Sequence, residues 1–217
     1  MARSPVLILE GDGDAAAVAE LVRTVAGRLE RWDVAVRPHP ITCCNVPRLD
    51  AVGQLERFVT HALNRDGDSV LILLDLDDGC ARDVALRWGR RLAAMRPRKK
   101  VGLGLFVREF EGWFIGCFDR IVEAYPDYGW SRDGWDEKFK FEDKRGAKEW
   151  LSRRMKSGKS YKETRDQVRF LRHLDFDRLR DKSRSYQHFE TLLEWLFADE
   201  RPGQPLVQPL TVETVPA

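Results

Sequence analysis

The 217-residue chain has little of what the common catalytic and metal-binding signatures require. Its four cysteines, Cys43, Cys44, Cys80 and Cys117, are two adjacent and two isolated. They offer no CxxC pair for a structural zinc and read as reduced thiols. The four histidines (His39, His61, His173 and His188) fall in no HExxH pattern, and no GxSxG elbow is present. Zinc hydrolysis and serine catalysis both lose support. No apolar run approaches the roughly 20 residues of a membrane helix. The first residues lead directly into a strand, without the longer apolar segment and cleavage site of a signal peptide. A soluble, cytoplasmic protein with no membrane partner is expected. Net charge is nearly absent too, at +2, yet 43% of the residues are apolar and 33% charged. That combination builds a real core under a highly charged surface and excludes a disordered chain.

What is present is acid at the ends of apolar runs. Val6-Leu7-Ile8-Leu9 is followed by Glu10-Gly11-Asp12-Gly13-Asp14, and Val70-Leu71-Ile72-Leu73-Leu74 by Asp75-Leu76-Asp77-Asp78. Short runs that are apolar throughout read as strands buried on both faces of a parallel sheet. Ligands of open α/β sheets bind outside the carboxyl ends of the strands, where these acids fall. Hard oxygen donors gathered there suit a divalent cation.

The pattern along the chain predicts strands over 6–9, 33–37, 70–74 and 101–107, the second stopped by Pro38. Helices are expected after the first strand, over 47–62 and over 81–95. Such alternation gives an α/β fold with a mainly parallel four-stranded sheet flanked by helices. Further helices are expected over 145–155, 164–174 and 187–197, with a break at 175–177. The organisation is thus an α/β domain over 1–120, a basic helical appendage over 121–200, and a tail over 201–217. The tail's four prolines suit an extended or mobile segment.

The near-neutral total hides an asymmetry. Residues 138–172 carry 13 Lys or Arg against five Asp or Glu, a surplus of eight that leaves the rest of the chain at −6. A basic segment beside an acidic sheet is the distribution of a metal site that receives a polyanion. Lys144, Arg145, Arg153, Arg154 and Lys159 are the expected nucleic-acid contacts, although a solvated helix face accounts for many charge runs. Of the interleaved aromatics, Trp150 reads as core, while Phe139, Phe141 and Tyr161 fit either core packing or base stacking. Ser157-Gly158-Lys159-Ser160 has Arg153 where a phosphate loop needs its first glycine, and Gly102-Leu103-Gly104 lacks the third glycine of a dinucleotide turn.

Each acid has a plain structural alternative. Glu10 also fits a carboxylate favoured by a helix dipole, Asp14 an N-cap, and Asp78 the cap of the following helix. Asp75 and Asp77 point the same way on an extended backbone, and a hard cation relieves their repulsion. Glu109 and Glu111 follow the last strand, and a helix's first turn would account for both.

Taken in order, Glu10-Gly11-x-x-Asp14, Asp75-x-Asp77, Glu111-Gly112-Trp113, Lys148, Tyr161 and Ser183-Arg184-Ser185-Tyr186 resemble a Toprim-like bacterial family of unassigned function. That family is often encoded beside ATPases in defence or mobile loci, and is related to Toprim and overcoming-lysogenisation-defect nucleases. The resemblance spans about residues 5–197, with Asp14 a shorter acid than the family's frequent Glu. It implies Mg²⁺- or Mn²⁺-dependent phosphodiester cleavage. Glu10, Asp14, Asp75, Asp77 and Glu111 would be the metal ligands, and Glu10, Asp75, Asp77 and Lys148 the catalytic set, Lys148 neutralising the phosphate. Expected partners are nucleic acid, an AAA- or ABC-type ATPase subunit and a second copy of the chain. A non-catalytic subunit that docks to the ATPase and senses nucleic acid or nucleotide is the alternative. A nucleotide-processing enzyme using the same acids is a third.

Overall fold

A computed structural model describes residues 3–11, 14–36, 39–199 and 203–209. Its centre is an all-parallel sheet built from β1 (Pro5–Leu9), β2 (Ile41–Thr42), β3 (Ser69–Leu76), β4 (Lys100–Val107) and β5 (Val207–Gln208), in the order β2-β1-β3-β4-β5. The sheet has five strands rather than four, because Val207 and Gln208 of the proline-rich tail pair with Val101 and Gly102. Alternation along the apolar runs divides the core. Leu7, Leu9, Leu71, Leu73 and Phe106 point to one face, and Val6, Ile8, Val70, Ile72, Leu74, Val101 and Leu103 to the other.

The second face is covered by α2 (Val46–Leu49), α3 (Gln54–Leu63) and α4 (Ala81–Ala94), which bury Leu55, Val59, Val84, Trp88 and Leu92 against it. The expected single helix over 47–62 is two helices. Gly53, at φ +76°, breaks the pattern in a left-handed turn that a side chain would strain. The expected strand over 33–37 is also corrected. Among its described residues only Val34 forms a bridge, an isolated one to Arg3 just ahead of β1, and the edge strand proper starts at Ile41, just after Pro40. Pro40 lacks the N–H that a continuous ladder needs, and the pairing with β1 resumes only beyond it, at Ile41 and Thr42, while Arg37 and Pro38 lie outside the described residues.

The first face is covered by α1 (Ala15–Arg28) and by helices from the second half of the chain. These are α5 (Gly112–Gly116), α6 (Phe118–Ala124), α7 (Ala147–Arg154), α8 (Glu163–Leu171), α9 (Phe176–Lys182) and α10 (Arg184–Leu196). The break expected at 175–177 lies instead at 172–175, and residues 176 and 177 already belong to a further helix, α9. Asp175 accepts the Arg178 N–H at 3.0 Å and starts α9. Helix α10 lies on β4, and its lower end is tied down by Lys100. That buried ammonium donates to the carbonyls of Trp195 and Ala198 at 2.8 and 2.7 Å, where the helix dipole favours a cation. No helix among the described residues is long and apolar enough to cross a membrane.

Gly102 and Gly104 serve this packing. They lie on the first face of β4, where an added Cβ would stand 3.0 Å from Leu192 Cδ1 at position 102 and 2.6 Å from Leu73 Cδ2 at position 104. The glycines let α10 approach the sheet. Gly104→Val is therefore expected to lower the unfolding free energy by roughly 1–3 kcal/mol through overpacking. Denaturant titration measures it, and an unchanged midpoint would contradict the packing account.

Candidate functional site

The site forms where the first face of the sheet meets its carboxyl edge. Register pairs Leu9 with Leu73, so Glu10 leaves β1 beside the last turns of β3. Asp75 continues the Leu71–Leu73 side of β3 and accepts the Phe110 N–H at 2.9 Å. The loop after β4 thereby docks on Asp75 and carries Glu111 inward. Asp14 stands at the N-cap position of α1 but makes no capping bond with its side chain. It accepts instead from Gln167 Nε2 of α8 at 2.7 Å. Asp12 and Gly13 of the turn lie outside the described residues.

Glu111 is the most deeply placed acid, 0% exposed. Its Oε1 accepts from the Tyr161 hydroxyl at 2.9 Å and from Gln167 Nε2 at 3.0 Å, and Lys148 Nζ stands 4.0 Å away. Lys148 itself reaches Glu163 Oε1 at 2.5 Å. The position of Lys148 is set by Glu109, whose carboxylate accepts the N–H groups of Ala147 and Lys148 at 3.0 and 3.4 Å and so closes the start of α7.

The titration behaviour shows that these groups share one field. Burial pushes the Glu10 carboxyl up; Asp77 and Asp14 push it the same way, and Lys148 opposes them. Burial likewise raises Asp75 well above the ordinary carboxylate range, with Glu111 and Asp14 adding to it and Lys148 opposing. Glu111 is pushed up to about 7 by burial, against Lys148 and the hydrogen bonds from Gln167 and Tyr161. Burial works against the Lys148 ammonium, but Glu111, Glu163 and Asp75 together hold its pKa above that of an ordinary lysine. Glu10, Asp14, Asp75, Asp77, Glu111 and Lys148 are thus brought together, with Asp77 exposed at the rim. Three oxygen atoms here, Glu10 Oε2, Glu111 Oε2 and Gln167 Oε1, are buried without a hydrogen-bond partner. Native proteins leave few such atoms, and an ion or water commonly completes them.

Among the described residues, no three His, Cys, Asp or Glu side chains stand close enough together to form a ready-made metal ligand set. The donor chemistry still suits a hard cation, since every acid offers carboxylate oxygen and two of the unpartnered atoms are carboxylate oxygens.

Helix α7 also carries the basic surface. Lys144, Arg145, Arg153 and Arg154, with Gly146, Glu149 and Trp150, line a groove of about 370 Å³. Arg145 pairs with Asp78 at 2.5 Å, linking the groove to the loop that bears Asp77. This corrects the capping role for Asp78, since Cys80 occupies the N-cap position of α4. Lys159 lies apart from the groove and donates to the Asp127 carbonyl at 2.6 Å over the Tyr128 ring. Trp150 is core, packed on Phe118 at 4.9 Å and covered by the Arg154 guanidinium at 3.5 Å.

Two of the short motifs meet each other. Ser183 caps α10 by accepting the Tyr186 N–H at 3.0 Å, and Ser185 Oγ accepts from Trp113 Nε1 at 2.9 Å. Glu142 takes Ser183 Oγ, Ser185 Oγ and the Ser185 N–H at 2.5, 2.6 and 2.9 Å. Ser185 therefore fixes the helix that carries Trp113, two residues from Glu111. Sequence reasoning missed Gln167, Glu163 and Glu142. Gln167, at 1% exposure, had a signal: it is a polar residue on the helical stripe shared with Phe170 and Leu171.

A folded carboxyl pKa raised by burial stabilises the fold at low pH, and that stability is lost as pH rises through the raised value. In chelator, melting temperature should therefore fall between about pH 4.5 and pH 7, the ordinary and raised values of Glu111. Glu111→Gln should flatten this fall, leaving the part due to Asp75 and Glu10; an unchanged pH profile would contradict the buried-acid account.

A family model described as "Domain of unknown function (DUF4276)" matches residues 9–194, which include every residue of the cluster and the groove. No curated protein and no solved structure matches the chain.

Proposed function

The chain belongs to the DUF4276 family, and we propose that it is a Toprim-like nuclease that cleaves phosphodiester bonds with Mg²⁺ or Mn²⁺, in a bacterial defence or mobile-element setting. The observation that carries the reading is the set of buried, unpartnered oxygens, Glu10 Oε2, Glu111 Oε2 and Gln167 Oε1, inside a cluster of five carboxylates. Such a cluster is costly as it stands, because like charges repel and buried oxygens lose water. A hard divalent cation relieves both costs at once.

Glu10, Asp75 and Asp77, with Asp14 and Glu111, would hold the metal. When bound, it supplies an activated water and charge neutralisation at the scissile phosphate. The chain's own groups do the rest. Tyr161 and Gln167 orient Glu111 by donating to one oxygen, which leaves the other free. Phe110 N–H orients Asp75 in the same manner. Lys148 brings a positive charge to the edge of the cluster, where charge accumulates on a phosphate under attack. The groove along α7 offers Lys144, Arg145 and Arg153 to the phosphates on either side of the scissile one. Because Arg154 covers Trp150, the groove suits backbone phosphates better than stacked bases.

Incubation of DNA and RNA substrates with Mg²⁺ or Mn²⁺ tests the reading, comparing wild type with Asp75→Ala/Asp77→Ala. Metal-dependent cleavage lost by at least about 100-fold in the variant is expected, the scale of removing a key electrostatic group. Equal cleavage by both proteins rejects the assignment. Binding without any cleavage, together with co-purification of an AAA- or ABC-type ATPase, would favour the non-catalytic subunit.

The groove has its own test. Lys144→Ala/Arg153→Ala should weaken nucleic-acid binding for all sequences and reduce the slope of log K against log salt by about 1–2, as expected for one or two lost phosphate contacts. An unaltered slope would remove the groove from the binding surface.

A further inference from the structure

Lys148 sits between two acids of different character. Glu111, on the inner side, is fully buried, and its Oε1 lies 4.0 Å from the ammonium, beyond a hydrogen bond. Glu163, on the outer side, is 40% exposed in its side chain and takes the ammonium at 2.5 Å. Electrostatics alone would favour the inner position, where Glu111 and Asp75 both act on Lys148 and little water screens them. The ammonium nevertheless stops short of a hydrogen bond to Glu111, and Glu111 Oε2 stays buried without a partner. Glu109 fixes the first turn of α7, so the main freedom left to the side chain is which acid its tip meets.

We infer that Lys148 is the cluster's own counter-cation, competing with a divalent ion for Glu111 and Asp75, and that Glu163 is a positioning residue that draws it outward and keeps the inner carboxylates open. The inference rests on reading the cluster as a metal site. Glu163 stands at the first turn of α8, where acids are usually explained by the helix dipole, so nothing in the sequence marked it. Its work is done through Lys148. With Glu163 gone, the ammonium closes on Glu111; with Lys148 gone, Glu163 has nothing to hold.

Mn²⁺ alone, titrated into the full chain and followed by electron paramagnetic resonance, tests this without any turnover. Lys148→Met should tighten Mn²⁺ binding about fivefold or more, the effect of a unit charge about 4 Å away even in the dielectric of water. Glu163→Gln should weaken it by a similar factor, and Glu163→Asp should restore most of the loss. In the Lys148→Met background, Glu163→Gln should change nothing, because the coupling runs through the lysine. A Glu163→Gln effect that persists without Lys148 overturns the inference, since Glu163 would then act as a direct charge on the ion. Equal Mn²⁺ affinity in wild type and Lys148→Met also overturns it while leaving the metal site standing. Mn²⁺ that binds neither protein removes the inference and the metal site together. Should Lys148→Met fail to fold, the Glu163 pair decides, an unchanged affinity in Glu163→Gln being the contrary result.

Discussion

The constraint on which the rest of the structure depends is the burial of the Glu111 carboxylate beside Asp75. Two acids of this kind cannot both be ionised in a dry interior without help, and their raised proton affinities express that cost. The fold arranges partial help from several elements. Tyr161 and Gln167 donate to one oxygen of Glu111, Phe110 N–H donates to Asp75, and Lys148 supplies a positive charge at a distance. Satisfaction stops short of completion, and Glu10 Oε2, Glu111 Oε2 and Gln167 Oε1 are left buried without partners.

The second half of the chain is organised around this incompleteness. Helices α7 and α8 and the loop between them bring Lys148, Glu163, Gln167 and Tyr161 to the sheet edge, and they stand on a core continuous with that of β1, β3 and β4. The pairing of Trp113 with Ser185 and the capping of α10 by Ser183 hold the short helix that begins beside Glu111. Glu109 performs capping of α7 that would ordinarily fall to a local Ser or Asp, and Glu142 adds to the Ser183 cap of α10, each joining distant parts of the chain. The short motifs of the second half of the chain thus divide into two kinds: Glu111, Lys148 and Tyr161 enter the cluster, whereas the Ser-x-Ser segment builds its support.

Much of the architecture was legible because its signal is local. Continuous apolar runs at 6–9, 70–74 and 101–107 can only be strands covered on both sides, and acids at their ends can only lie at the carboxyl edge. The second strand was misplaced because Asp33 to Val36 alternates as a strand should, while the prolines nearby act through a missing donor, which a hydropathy pattern does not register. Strand β5 escaped because two residues carry no period, and its pairing with Val101 depends on the whole fold. In the site, the strand-end acids could be found one by one, whereas Gln167 showed only as a polar residue on an apolar helical stripe and Glu163 not at all. Their meaning comes from partners far along the chain, Lys148 for one and Asp14 and Glu111 for the other. Long-range polar pairing leaves no spacing to read.

Anomalous diffraction from a crystal soaked in manganese tests the central claim most directly. An ion is predicted among Glu10, Asp75 and Glu111, touching oxygens that now lack partners. A soaked crystal with manganese bound elsewhere and none among these acids would contradict the account.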